Sequence, residues 1–172
     1  MISTYVKGRA AVYIDASNIY YSQKRLKWRI DYKKLLDYFR RETNLVGISF
    51  YTAKDPASEP QRRFLDFLEI IGYRVRSKKV KFIKTPTEAR PEEGFHKGNL
   101  DVELTIDVMD DSNRFDTFVL VSGDSDFEAL IKRMKAQGKW CLVISTKGHV
   151  SKELLDEAKF IDFKKLKGEI TR

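Results

Sequence analysis

Short apolar runs alternate with segments of helical periodicity along most of the chain. The runs at 10–14 and 140–144 are continuously apolar, as is the run at 117–121 after its first residue, Thr117, and this is expected for strands that are buried on both faces. Between them, apolar side chains recur every three or four residues, as they do on one face of an amphipathic helix. Strands are also predicted at 46–51, 73–83 and 160–163, and helices at 17–27, 32–41, 64–71, 99–111, 127–136 and 151–158.

This alternation predicts an α/β fold. A mainly parallel sheet would lie between two layers of helices, in a three-layer sandwich of the Rossmann type with strand order 3-2-1-4-5. The 172 residues suffice for one core, and we predict a single domain over 1–172, with its core at about 9–163 and a basic tail at 164–172. The one unusual connection is a predicted loop at 85–96, which contains two prolines.

Three acidic residues follow two of the apolar strands. Asp15 comes directly after the first strand, and Asp124 and Asp126 come after the fourth. In the predicted order these two strands are neighbours, so their carboxyl ends would open into the same crevice. An aspartate after a strand is also a common turn residue or helix N-cap, and that alternative stays open for each of the three.

Asp101 stands out because the predicted helix at 99–111 would point it at the core. At about 100° per residue, it lies in the middle of the apolar face formed by Leu104 and Val108, whereas Asp107 falls on the opposite, solvent side. A carboxylate that faces a core is costly unless a partner neutralises it. That partner is either a salt bridge or the dipole of the first helical turn, or it is a cation shared with Asp15 and Asp124.

Cysteine and histidine are too scarce for a zinc site of the usual kind. The chain has one cysteine, Cys141, which lies within an apolar run, and two histidines, His96 and His149. Site chemistry must therefore use carboxylates and hydroxyls, which suit Mg²⁺ or Mn²⁺. The predicted metal ligands are Asp15, Asp101, Asp124 and Asp126.

Positive charge exceeds negative charge, with 33 basic and 25 acidic residues and a net charge of +8. Such a balance favours a polyanionic partner but does not by itself establish one. The predicted strand at 73–83 has no acidic residue, and alternation would place Arg74, Arg76 and Lys78 on one of its faces. Together with Lys79 and Lys81, they would form a nucleic-acid track, a charged guard on an edge strand, or both.

Four aromatic residues allow two interpretations. They could stack on nucleic-acid bases, or they could belong to the core, as aromatic residues at helical and strand positions commonly do. These residues are Tyr20, Tyr21, Trp28 and Tyr51.

No apolar run approaches the roughly 18 residues needed to cross a membrane. The first nine residues also lack an apolar stretch of signal-peptide length. We therefore expect a cytoplasmic protein without a membrane partner. The sequence leaves open whether the chain forms a homo-oligomer.

Three segments together resemble the NYN domain of the LabA-like branch, a family of PIN-like nucleases. The segments are AVYIDASN at 11–18, KGNLD at 97–101 and VSGDSDF at 121–127. Each is weak alone, but their order and spacing are specific together. The resemblance covers about residues 9–146.

The resemblance implies a PIN-like fold and a Mg²⁺- or Mn²⁺-dependent ribonuclease that acts on single-stranded or structured RNA. It assigns the catalytic and metal-binding roles to Asp15, Asp101, Asp124 and Asp126. Asp107 also falls where the family often has an acid, but its predicted place on the far side of the helix leaves it out of this set. We further expect residues that support these acids or contact the substrate at Asn18, Ser122 and Lys97.

Other functions fit parts of this pattern. A non-catalytic RNA-binding module of the same fold would keep the basic residues and lose acids, whereas this chain keeps all four. A phosphatase of the haloacid-dehalogenase kind needs a second aspartate two residues after Asp15, where this chain has Ser17. A metal-adhesion module needs an Asp-x-Ser-x-Ser sequence, which fails at Asn18 and Ile19. The RNA-binding module is therefore the main alternative.

Overall fold

The computed structural model describes residues 2–79, 81–84, 94–97 and 99–172, and for 81–84 and 94–97 it describes the backbone alone. Its main feature is a six-stranded sheet in which every neighbouring pair of strands is parallel. The strands of this sheet are β1 (Arg9–Asp15), β2 (Asn44–Lys54), β3 (Arg74–Lys79), β6 (Thr117–Val121), β7 (Trp140–Ser145) and β8 (Lys159–Asp162).

The sheet has the order β3-β2-β1-β6-β7-β8, with β1 in the middle and β6 beside it. A second, two-stranded sheet pairs β4 (Lys81–Lys84) with β5 (Gly94–Lys97) in antiparallel fashion. The predicted α/β class, the parallel sheet and the order 3-2-1-4-5 are confirmed, and β8 extends that order by one strand. Successive strands are added to one side of β1 as far as β3 and to its other side from β6 onwards, so the strand order reverses between β1 and β6, which is where open α/β sheets form their binding crevice.

Helices cover both faces of the sheet because alternate strand residues face opposite sides. Val12 and Ile14 face one cluster of buried side chains, whereas Ala11 and Tyr13 face another. The first cluster is covered by α1 (Ala16–Leu26), α2 (Tyr32–Glu42), α3 (Glu59–Ile71) and α7 (Lys167–Ile170). The second is covered by α4 (Asp101–Asp110), α5 (Glu128–Ala136) and α6 (Lys152–Glu157).

The structure differs from the sequence prediction around the third strand. The predicted strand at 73–83 is two strands, β3 and β4, which belong to different sheets. The predicted loop at 85–96 is wrong for its last residues, because β5 begins at Gly94, and residues 85–93 lie outside the described part of the chain. A four-residue strand has too few positions to show an apolar period, so the sequence could not indicate it.

The C-terminal segment packs against the sheet through apolar side chains. Leu166 and Ile170 are buried in the first cluster, and the backbone N–H of Asp31 donates a hydrogen bond of 2.8 Å to the carbonyl oxygen of Ile170. The lysines at 164, 165 and 167 are exposed. The expected basic tail at 164–172 is thus a segment with a basic outer face and an apolar inner one. In the described ranges, the helices are too short or too polar to span a membrane.

Replacing Ile170 by alanine should destabilise the protein although the residue lies near the chain end. Its side chain is fully buried, so truncation removes apolar contacts and leaves a cavity, at a cost of about 2–3 kcal/mol. Urea unfolding of Ile170→Ala measures this cost. The control, Lys165→Ala, changes an exposed residue and should alter the free energy of unfolding by less than about 0.5 kcal/mol. Equal stability of the two variants would contradict this account of the C-terminal packing.

Candidate metal centre

The predicted site lies at the carboxyl ends of β1 and β6, next to the first turn of α4. Because β1 and β6 are parallel neighbours, the residues that follow them meet at the same edge of the sheet. Asp15 is the last residue of β1, and Asp124 lies three residues after the end of β6. Asp101 is the first residue of α4. The sheet and one helix end therefore bring together acids that are far apart in the sequence.

Asp15 is held from two sides. One carboxylate oxygen accepts a hydrogen bond of 2.9 Å from the backbone N–H of Ser17, so the residue caps α1. The other accepts a hydrogen bond of 3.0 Å from the hydroxyl of Ser122. Burial raises the pKa of Asp15 above its usual range, and the hydrogen bonds from Ser122, Ser17 and Asn18 offset part of that rise. Asp15 is thus both a helix cap and a member of the site.

Asp124 and Asp126 lie on the turn that leaves β6. The backbone N–H of Asp126 donates a hydrogen bond of 3.1 Å to a carboxylate oxygen of Asp124, which caps the short 3-10 helix at Ser125–Phe127. The backbone N–H of Asp124 donates in turn to the Ser122 hydroxyl at 3.3 Å. Both aspartates are exposed, so their carboxylates are accessible to a ligand.

Asp101 faces the same crevice from the opposite wall. Its backbone N–H donates a hydrogen bond of 2.7 Å to the side-chain oxygen of Asn99, and the Asn99 amide donates to its carboxylate. Burial raises the pKa of Asp101, the negative charges of Asp15, Asp124 and Asp126 raise it further, and Asn99 opposes the rise. The carboxylate therefore senses the other three acids, which is the situation that a bound cation would relieve.

Three of the four predicted carboxylates form one close group. Oxygen atoms of Asp101, Asp124 and Asp126 lie within 4.8 Å of one another. Asp15 is outside that group, but it lines a pocket of about 280 Å³ together with Asp101 and Asp124. Among the described residues, this pocket has no histidine or cysteine in its lining. A set of carboxylate oxygens of this kind fits Mg²⁺ or Mn²⁺ and does not favour zinc.

The residues expected to support the acids differ in position. Ser122 is fully buried and joins Asp15 to the turn that carries Asp124. Asn18 is directed to the end of β7, where its side-chain oxygen accepts a hydrogen bond of 2.9 Å from Ser145. The side chain of Lys97 lies outside the described residues, and its backbone pairs with that of Lys81 in the small sheet.

Gly123 is a structural requirement of the site that the sequence prediction missed. A Cβ atom on Gly123 would lie 1.9 Å from the carbonyl oxygen of His149 and 2.8 Å from the hydroxyl of Ser145. The segment after β7 thus packs directly on the turn between β6 and Asp124, and the backbone N–H of Ser151 donates a hydrogen bond of 2.9 Å to Gly123. The only sequence signal was the glycine before Asp124, which by itself does not reveal what approaches it.

The basic side chains of β3 form ion pairs with the acidic side of α4 and with Asp111, the residue that follows it. The shortest pairs are Arg74 with Asp111 at 2.8 Å, Arg76 with Asp107 at 3.0 Å, and Lys78 with Glu103 at 2.6 Å. The hydroxyls of Tyr13 and Tyr51 also donate to Asp111 and Asp107, at 3.1 and 2.8 Å. We call this set of contacts the β3–α4 ladder.

The ladder shows that the predicted exposure of Asp107 to solvent is wrong, and it also bears on the predicted nucleic-acid track. The side chain of Asp107 is only 16% exposed, because β3 and Tyr51 lie beside the helix face that sequence periodicity placed in solvent. A phosphate that approached Arg74, Arg76 or Lys78 would have to compete with a carboxylate already bound there. Lys79 is exposed, and the side chain of Lys81 lies outside the described residues. Nucleic-acid binding by this set stays a prediction.

Comparison with known proteins identifies a family, a curated relative and a solved structure of similar fold. The model of the NYN domain family matches residues 9–166. A curated relative, the low amplitude and bright protein LabA of Synechococcus elongatus, is 36% identical over 168 residues, covering 95% of this chain and 88% of the relative. The crystal structure of a protein of unknown function from Vibrio parahaemolyticus has a TM-score of 0.77 and 24% identity, and covers 96% of this chain and 97% of that one. This last likeness shows the fold alone.

Substituting alanine for Gly123 should destabilise the protein and displace the turn that carries Asp124. The added Cβ cannot coexist with the His149 carbonyl, so the backbone must move, at a cost of about 1–3 kcal/mol. Gly47→Ala is the matched control, because a Cβ there meets nothing within 4 Å. That variant should be as stable as the parent or gain up to about 1 kcal/mol. Urea unfolding of both variants tests the close approach, and similar effects in the two would contradict it.

The stability that Asp111 contributes should depend on pH. Burial disfavours its charged form, but Arg74, the Tyr13 hydroxyl and Arg114 outweigh that effect and lower its pKa below the usual value of about 3.8. The contribution is therefore fully present above about pH 4 and is lost as pH falls through the lowered folded-state pKa. Asp111→Asn should be less stable than the parent at pH 6, and the difference should shrink at pH 3. A difference that stayed constant would mean that the ion pair does not contribute.

Proposed function

The chain belongs to the NYN domain family, in its LabA-like branch, and on that premise we propose that it is a Mg²⁺- or Mn²⁺-dependent ribonuclease. One observation carries the proposal. Three carboxylates from two separate elements lie within 4.8 Å of one another, with a fourth, Asp15, in the same pocket. Such crowding of negative charge at an open crevice is unfavourable without a cation.

The proposed metal ligands are Asp101, Asp124 and Asp126, with Asp15 as a further carboxylate at the inner edge of the group. Hydrogen bonds position three of these four side chains before a metal binds, and the backbone N–H of Asp126 orients Asp124. Asn99 orients Asp101, and Ser122 orients Asp15. A divalent cation in this position would lower the pKa of an attacking water and stabilise negative charge on the phosphate and the leaving oxygen.

The side chains of the protein hold the carboxylates in place on both walls of the crevice. The turn at Ser122–Asp126 and the first turn of α4 form two walls of the crevice, so a phosphodiester between them would face carboxylates from both sides. Asp124 and Asp126 are exposed and remain accessible to substrate. Asp15 is more buried, and its fixed carboxylate is suited to accept a hydrogen bond from an attacking water. RNA as substrate and a cytoplasmic location are parts of the proposal.

The replacement Asp124→Asn tests the enzyme function. The amide keeps the size of the side chain and can still cap the 3-10 helix, but it removes a charge from the proposed metal site. Cleavage of a labelled RNA panel in Mg²⁺ or Mn²⁺ should fall by at least about 100-fold. In EDTA the variant should melt no lower than the parent, because repulsion between carboxylates is relieved. RNA affinity should persist or increase, since one negative charge near the phosphates is gone.

The control and the opposing outcomes are equally specific. Asp110→Asn makes the same change in charge at an exposed position of α4, and it should leave cleavage and melting unchanged. If the parent cleaves no RNA of the panel in either metal, the proposal is wrong and the non-catalytic RNA-binding module takes its place. If Asp124→Asn cleaves as well as the parent, Asp124 is a helix cap without a role in the reaction.

A further inference from the structure

A second, larger groove opens beside the metal centre. It has a volume of about 860 Å³ and lies between α1 and α3, over the carboxyl end of β2. One wall is α1 and the residues after it, the other includes Gln61 and Phe64 of α3, and Phe50 and Thr52 of β2 form the floor. The groove and the pocket of the metal centre share four lining residues, which are Ser17, Tyr21, Thr52 and Ala53. A chain that lay in the groove could therefore continue into the metal centre.

Exposed aromatic rings line the α1 wall of the groove. Tyr20 and Tyr21 are 53% and 58% exposed, whereas Tyr51, which the sequence also offered as a stacking residue, is buried. The rings of Tyr20 and Tyr21 lie 5.6 Å apart at their centres, at an angle of 73°. Trp28 is partly buried and lines the same groove. Aromatic rings that face solvent beside a groove are suited to stack on unpaired bases, whichever base is present.

The same wall carries positive charge that no carboxylate of the described residues neutralises. Lys24, Lys27 and Arg29 line the groove, and its lining contains no acidic residue in the part of the chain that the structure describes. Within the same part, these three side chains form no ion pair with an acid, whereas those of Arg74, Arg76 and Lys78 all do. The ammonium of Lys24 lies 4.5 Å from the centre of the Tyr20 ring. Cations available for phosphate thus lie on α1 and the residues after it.

Lys27 holds its place at a conformational cost. It ends α1 with φ of 57° and ψ of 31°, the left-handed conformation in which glycine is favoured at this position. It is the only residue other than glycine with a positive φ among those described. A lysine here sacrifices stability that a glycine would provide and keeps a cation in the groove, as residues held in strained conformations at functional sites often do.

We propose that the groove between α1 and α3 binds unpaired nucleotides of single-stranded RNA and leads that strand into the metal centre. Bases would stack on Tyr20 and Tyr21, and phosphates would contact Lys24, Lys27 and Arg29. The strand must be unpaired, because stacking on a side chain requires a base face that a duplex does not offer. The proposal deepens the proposed function and rests on it for the direction of the strand towards the carboxylates.

Binding is measured in EDTA, so that cleavage cannot consume the probe. The probe is a short, unstructured, fluorescently labelled RNA, and its affinity is obtained from anisotropy over a range of salt concentrations. The double variant Tyr20→Ala, Tyr21→Ala should bind about 10-fold more weakly or worse, at an unchanged salt dependence. The triple variant Lys24→Gln, Lys27→Gln, Arg29→Gln should bind more weakly and lower the slope of log affinity against log salt by about 2.

A matched control separates local contacts from net charge. The triple variant Lys164→Gln, Lys165→Gln, Lys167→Gln removes the same charge from exposed positions of the C-terminal segment, and it should bind the probe nearly as the parent does. A duplex RNA of the same length should bind the parent more weakly than the single strand and should be insensitive to the tyrosine changes.

Lys27→Gly distinguishes a binding role from a structural one. Glycine relieves the left-handed conformation, so the melting temperature should stay the same or rise while affinity for the single-stranded probe falls about 2- to 5-fold. A rise in stability with unchanged affinity would show that Lys27 does not contact RNA.

The outcomes for the groove and for the enzyme can be told apart. If the parent cleaves RNA in Mn²⁺ but the groove variants bind and cleave as it does, the groove proposal is wrong and the ribonuclease stands. If the groove variants lose affinity but the parent never cleaves, the groove binds RNA and the proposed enzyme function is wrong. If the control triple variant loses as much affinity as the groove triple variant, binding depends on net charge alone and the groove proposal is overturned.

Discussion

The crowding of carboxylates at the carboxyl ends of β1 and β6 is the constraint on which the rest of the structure depends. Parallel pairing of these strands places Asp15 and the turn with Asp124 at one edge, and α4 adds Asp101 from the other wall. Burial raises the pKa of Asp101, and the negative charges of Asp15, Asp124 and Asp126 raise it further. The hydroxyl of Ser122, the Asn99 side chain and backbone N–H groups stabilise the charged forms, and a divalent cation would supply the remaining compensation.

The same constraint explains how the surrounding charges are arranged. The acidic side of α4 also carries Glu103 and Asp107, and the β3–α4 ladder neutralises them with basic residues of the edge strand. The ladder therefore fixes the helix that presents Asp101 and uses positive charge that would otherwise be available to a polyanion. The lysines at the end of α1, which form no ion pair with any acid that the structure describes, lie on the other side of the crevice, where they can attract phosphate without weakening that support.

Backbone packing and one buried hydroxyl together position the turn with Asp124. The carbonyl of His149 lies where a Cβ of residue 123 would be, so only glycine allows the segment after β7 to close on the turn. This contact and the buried Ser122 hold the carboxylates at neighbouring strand ends. A site whose acids are fixed in advance loses little conformational entropy when it binds its cation.

The sequence by itself determined the α/β class, the places of Asp15, Asp124 and Asp126 after strands and the place of Asp101 on a helix, because each depends on a local pattern. The strand order 3-2-1-4-5 was predicted from the usual arrangement of such folds and not from a local pattern. A buried strand shows as an apolar run, an acid after it lies at the strand end, and helical periodicity placed Asp101 on the same face as the buried Leu104 and Val108. Only the tertiary structure decided what these patterns contact. Arg76 pairs with Asp107, His149 approaches Gly123, and residues of α1 and α3 together line the groove beside Tyr20. Each of these contacts joins segments that are far apart in the chain. Which segments become neighbours is set by the packing of the whole sheet and its helices, and no local period records it.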